Sequence, residues 1–190
     1  MGTYSGLDRP IVVVDYDPNW PSLYAVESQR ILAVMGAAVV QIEHIGSTAV
    51  PGLAAKPVID IAVGIADLAQ AMTYVPMLGY LGYLYVPEAE ADLPERRFFW
   101  KGTPQVHTYH ISMAVPGSSV WVKPIAFRDY LRGHPEAVQR YQTLKRELAR
   151  RCGTDIGAYI KGKTALVESA LILAGIEARN DPTSALSNGV

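Results

Sequence analysis

One cysteine in 190 residues, Cys152, closes off several chemistries at once. A single cysteine excludes an intrachain disulfide and a cysteine-rich metal site. Beside Arg150, Arg151 and Gly153, it reads either as a helix-end residue or as an exposed thiol with a favoured thiolate. Long apolar runs are missing too. No stretch approaches the ~18 apolar residues of a membrane span, and the N-terminus lacks a basic segment followed by an apolar one. The expectation is a soluble, cytoplasmic chain with no membrane partner. Charge is sparse at 18% of residues, and the net charge of −1 argues against bulk nucleic-acid binding. Neither an internal repeat nor a domain linker is present, and the length suffices for one substantial core.

What charge there is lies unevenly. Residues 1–122 hold 6 Lys/Arg against 11 Asp/Glu, whereas residues 123–163 hold 10 against 4. The basic segment reads either as solvated helix faces or as a cationic wall for an anionic ligand. Within it Arg128 and Arg132, Tyr141 and Lys145, and Tyr159 and Lys163 are each spaced i,i+4, so each pair shares a helix face.

The pattern predicts an N-terminal arm over 1–10, a folded unit over 11–178 and a polar tail over 179–190. Ile11–Val14 reads as a short edge strand and 21–35 as a helix with Leu23, Val26, Ile31, Val34 and Met35 on one face. Strands are expected at 37–45, 57–64 and 80–85, with a helix started by Asp67 between the last two. Arg96–Lys101 and Val106–Val115 read as hairpin partners. Alternation along the second sets His107, Tyr109, Ile111 and Met113 toward the core and His110 and Ser112 away from it. Three helices follow: one near 118–131 interrupted at Pro124, one to about Arg151, and one from Thr154 or Asp155. Helices grouped against a sheet make this an α+β fold with a mixed β-sheet in a single domain.

Residues 42–61, Ile-Glu-His-Ile-Gly-Ser-Thr-Ala-Val-Pro-Gly-Leu-Ala-Ala-Lys-Pro-Val-Ile-Asp-Ile, hold the densest chemistry. Gly46 and Gly52 permit a turn or a close approach, and Pro51 and Pro57 stiffen it. Asp60 stands inside an apolar run, where a carboxylate is costly unless it is exposed at the strand end, paired or metal-bound. Backbone N–H groups and the hydroxyls of Ser47 and Thr48 suit phosphate oxygens. Glu43 and His44 are adjacent on a strand and point to opposite faces. His44 reads as a hydrogen-bonded support for the connector, a metal ligand or a general base. Lys161-Gly162-Lys163-Thr164 lacks the preceding glycine pattern of a phosphate loop.

The same stretch resembles the GrpB family, whose members carry Ile-Glu-His-Ile-Gly-Ser-Thr-x-Val-Pro-Gly-Leu-x-x-Lys-Pro-x-Ile-Asp. Arg97-Phe98-Phe99, the segment near His110, Phe127–Arg132, and Tyr141 with Leu144-Lys145 are also similar to that family, over roughly residues 10–175. The resemblance implies the fold of the polymerase-β-like nucleotidyltransferases. In that fold a Gly-Ser pair precedes a short helix, and acidic residues on the next strand hold Mg²⁺. Gly46-Ser47 and Asp60 occupy those positions, while Ala62 stands where a second acidic residue is usual and Ser112 where the family often has histidine.

The implied chemistry is transfer of a nucleotidyl or phosphoryl group from ATP or another nucleoside triphosphate to a small acceptor. Asp60, with Glu43, is expected to hold Mg²⁺. Gly46, Ser47 and Thr48 are expected to bind phosphate, and Lys56, Arg97, Arg128 and Lys145 to neutralise it. Asp60, Lys56 and His110, the last as base, are the expected catalytic groups. Two alternatives stay open: an ATP-dependent ligase acting through an acyl-adenylate, and a non-catalytic nucleotide- or anion-binding module. On any of them the partner is a small anionic molecule.

Overall fold

A computed structural model describes residues 10–176, so all but the last residue of the arm expected over 1–10, and the tail expected over 179–190, lie outside the described residues. Five strands form one mixed sheet: β1 (Gln41–Ile45), β2 (Ile59–Gly64), β3 (Tyr83–Tyr85), β4 (Arg97–Gly102) and β5 (His107–Ala114). Their order is β1-β2-β5-β4-β3, with β2 and β5 parallel and every other pair antiparallel. The helices are α1 (Trp20–Met35), α2 (Val75–Tyr80), α3 (Ser119–Gly133), α4 (Pro135–Cys152) and α5 (Ile156–Leu173).

Period-2 alternation divides the sheet. Ile59, Ile61 and Val63 of β2, Ile111 and Met113 of β5 and Phe99 of β4 meet Trp20, Ile31 and Met35 of α1 and Leu78 of α2 in the main core. Asp60 and Ala62, His110 and Ser112, and Phe98 and Trp100 lie on the other face, paired in register across the strands. There Trp121 of α3 packs with Ile45 and Ala62. The connector between β1 and β2 drives Val50 and Leu53 into a second cluster with Leu131, Ala137, Val138 and Tyr141. The expected α+β arrangement, one mixed sheet with helices packed against it, is the one observed.

Several elements differ from the sequence expectation for local reasons. Ile11–Val14 forms only an isolated bridge, Val14 to Ala55. Asp67 caps as expected, accepting from Ala69 N at 2.9 Å, but a 3-10 stretch, Leu68–Tyr74, precedes the short α2. Pro124 does not interrupt α3. It removes one backbone donor, yet Trp121 and Ile125, packed on Ile45 and Ala62, hold the helix continuous across it. On α1, Leu23 and Val26 face outward, and fully buried Glu27 turns in to meet Lys101 Nζ at 2.7 Å. That inward charge was invisible to a periodicity built on apolar residues alone.

Candidate functional site

The connector 46–58 is held in place by its carbonyls. Arg128 Nη1 donates to His44 O at 2.8 Å, Arg132 Nη2 to Ala49 O at 2.8 Å, and Lys145 Nζ to Ala54 O. Arg132 and Lys145 thus satisfy backbone acceptors that an irregular, buried loop would leave unpaired, and Arg128 does the same at the end of β1. Arg128 also meets Glu43 Oε2 at 2.6 Å and Asp129 Oδ1 at 2.7 Å, while burial next to Lys163 and Arg146 lowers Lys145 to about 7. Arg128 and Lys145, expected to bind the cofactor, instead secure the loop from behind.

Thr48 and His44 belong to the same support. The Thr48 hydroxyl donates to Val58 O at 3.2 Å, so its oxygen accepts from His44 Nε2 at 3.1 Å, fixing the Nε2–H tautomer. Tyr24 stacks on the His44 ring at 4.7 Å. Thr48 is buried with its hydroxyl engaged and is not available to phosphate. His44 is the structural histidine among the three readings. Burial lowers its pKa to about 4. Since the unfolded ring titrates near ~6.5, its contribution is fully present above that value and is lost as pH falls toward 4. The expected result is a stability loss of about 3 kcal/mol across that window. His44→Gln flattens it in urea titrations at pH 7 and pH 4.5.

Asp60 behaves differently. Its side chain is 37% exposed and lines a cavity of about 570 Å³ with Lys56, Arg96, Phe98, His107, His110 and Ser112. Val12, Val106, Ile156 and Ile160 form the apolar remainder of the wall. The Gly46 turn lies directly on the carboxylate: a Cβ on Gly46 would stand 2.4 Å from Asp60 Oδ2. Gly46 adopts φ +73° and ψ −172°, a conformation nearly confined to glycine. Ser47, half-buried, is hydrogen-bonded to Tyr141, whose phenol burial holds well above its ordinary pKa.

His110 Nδ1 meets Asp60 Oδ1 at 3.1 Å, and His110 Nε2 meets His107 Nδ1 at 2.9 Å. With neutral rings, Asp60 accepts from His110 Nδ1–H, and His110 Nε2 accepts from His107 Nδ1–H. Trp100 stacks on His107 at 4.1 Å. His107 was expected to face the core. A register shift at Lys101/Gly102 breaks the alternation and turns it onto the His110 face, which strict periodicity cannot anticipate.

Arg97 lies on the opposite face, pairing with Glu90 at 3.2 Å and donating to Pro94 O at 2.9 Å. Its neighbour Arg96 reaches the cavity, its guanidinium over the Phe98 ring at 4.9 Å. One residue of strand phase decided between them. The two carboxylates expected to hold magnesium each have a partner within the protein. Glu43 shares Asp60's face but is spent on Arg128, Ala62 offers no ligand, and Asp60 already accepts from His110. Among the described residues no group of three His, Cys, Asp or Glu side chains is arranged to hold a metal. Lys56, Asp60 and His110 line one cavity, Gly46 stands against Asp60, and Ser47 follows it in the same turn.

The sequence model described as "GrpB protein" matches residues 10–172, and the chain belongs to that family. It is 37% identical over 171 residues to UPF0157 protein BH1888 of Halalkalibacterium halodurans, covering 90% of this chain and 86% of that one. UPF0157 protein YqkA of Bacillus subtilis is 32% identical over 162 residues, 85% of this chain, which spans only 46% of YqkA's length. The crystal structure of the conserved protein GrpB from Enterococcus faecalis superposes with a TM-score of 0.78 at 32% identity, covering 86% of this chain and 96% of that one. Outside the family, terminal uridylyl transferase 4 from Trypanosoma brucei is 14% identical with a TM-score of 0.49, covering 89% of this chain and 58% of that one. A likeness that remote carries no activity with it.

Proposed function

We propose that the chain binds a nucleoside triphosphate in the Asp60 cavity and transfers its nucleotidyl or phosphoryl group to a small acceptor. The observation that supports this is the contact of the Gly46-Ser47 turn with Asp60 at a cavity that Lys56 and Arg96 also line. Backbone donors of the turn and the cationic side chains suit phosphate oxygens, and Phe98 offers a ring face for a planar group. The acceptor's proton goes to the Asp60–His110–His107 chain, in which the carboxylate sets the His110 tautomer and stabilises an imidazolium. No protein-held metal pair enters this reading.

Titration calorimetry with ATP, with and without Mg²⁺, tests it. Lys56→Met is expected to weaken ATP binding at least about tenfold, the scale of one hydrogen bond to a charged group. Asp60→Asn is expected to leave metal-free binding intact while abolishing turnover. Failure to bind any nucleoside triphosphate would sink the proposal. Glu43, held by Arg128, motivates a second reading, a module that binds the nucleotide without transferring it. ATP binding with no transfer to any acceptor would favour it. An acyl-adenylate ligase predicts pyrophosphate release only when a carboxylic acid is supplied.

A further inference from the structure

Three of the large aliphatic side chains that stay open to water line the same cavity as Asp60. Val12 is 51% exposed, Val106 61% and Ile160 57%. They come from separate places in the fold: the segment before α1, the loop entering β5, and α5. Ile156, one turn before Ile160 on the same helix face, extends this apolar side. Exposed aliphatic residues are ordinary when scattered singly, but several converging on one concavity mark a binding surface. The remaining wall is opposite in character, with Asp60, His107 and His110 on β2 and β5 and the cations Lys56 and Arg96.

We propose that the small acceptor is a hydroxyl compound with a compact aromatic or branched aliphatic body. The body lies against Val12, Val106, Ile156 and Ile160, and the hydroxyl is directed to the Asp60–His110–His107 chain. The inference rests on the transfer reading of that cavity and adds to it the class of acceptor. The acceptor oxygen bonds to phosphorus as the bond from phosphorus to its leaving oxygen breaks. Pyrophosphate or a nucleoside diphosphate departs, and the hydroxyl proton passes to the imidazole chain.

Two arguments select this class. A cavity of about 570 Å³ has the size of a small-molecule site, so its apolar side is matched by a small ligand and not by a folded partner. Sugars and other polyols are disfavoured, because hydroxyls pressed against valine and isoleucine lose water with no acceptor in exchange. An apolar body instead gains about fourfold in affinity for each CH₂ it buries.

The test uses 2-naphthol as the probe on the full chain, with and without ATP, read by titration calorimetry and methyl NMR. It is expected to bind at one site with ATP present and to shift the methyl signals of Val12, Val106, Ile156 and Ile160. Glucose should not bind. 2-Methoxynaphthalene, which keeps the body but cannot donate a hydrogen bond, should bind about tenfold more weakly. Ile160→Ser should weaken 2-naphthol about tenfold, whereas Leu23→Ser, at an exposed site on α1, should change nothing. ATP binding without any binding of 2-naphthol overturns this inference and leaves the nucleotide reading standing. Displacement of 2-naphthol by ATP, or glucose binding as tightly as 2-naphthol, has the same consequence. Equal affinity for 2-naphthol and its methyl ether would leave the hydroxyl without a role and overturn the acceptor assignment. Failure of ATP to bind overturns the nucleotide reading and this inference together.

Discussion

Alanine at position 46 is expected to destabilise the protein by about 3 kcal/mol and to abolish ligand binding in the Asp60 cavity. Two costs add. The backbone there is at φ +73° with extended ψ, which a Cβ opposes by ~1–3 kcal/mol. The methyl would also sit 2.4 Å from Asp60 Oδ2 and 3.0 Å from its Cβ and Cγ, so the carboxylate or the turn must move. For a chain of this size the melting temperature should fall by roughly 10 °C. Gly52→Ala is the control. Its φ is +76°, but a Cβ there meets nothing within 4 Å, so only the strain applies. Equal losses for the two variants would show that the Gly46–Asp60 contact contributes nothing.

Arg128→Met is expected to cost about 2 kcal/mol, and to loosen the connector rather than the sheet. The substitution leaves Glu43 without its 2.6 Å partner and His44 O without its donor. The figure stays below that for breaking a fully buried pair because Glu43 and Asp129 are 40% and 50% exposed, where water takes over part of the interaction. Hydrogen exchange should accelerate over 46–55 while the main-core amides of β2 and β5 hold. Uniform acceleration across the sheet would place Arg128 in global stability alone. An unchanged exchange profile with a large loss of ATP affinity would instead return Arg128 to the ligand.

The two variants expose two kinds of support for one turn. Gly46 matters because nothing is there, and Arg128 because it binds Glu43, Asp129 and the His44 carbonyl at once. The basic segment 123–163, read from the sequence as either solvated faces or a ligand wall, supplies a third answer. Its cations Arg132 and Lys145 are directed at the connector's carbonyls, and Arg128 at the carbonyl of His44 near the end of β1. Lys163 of the last i,i+4 pair instead stands over the Tyr159 ring, as Lys56 does.

The sequence by itself determined the strand alternation that sets Asp60 and His110 apart from the apolar core, the Gly46 turn, the capping by Asp67, and the family. These are local or period-bound properties, fixed by backbone sterics and by which residues tolerate burial. Tertiary structure alone decided that Arg96 rather than Arg97 reaches the cavity, that His107 joins His110 through a register shift, and that Glu43 is consumed by Arg128. Charged side chains are long and find partners across distant elements, so chain position says little about which carbonyl or carboxylate they meet. Those meetings depend on how α3, α4 and α5 pack over the connector, and that packing fixes which charges remain available to a ligand.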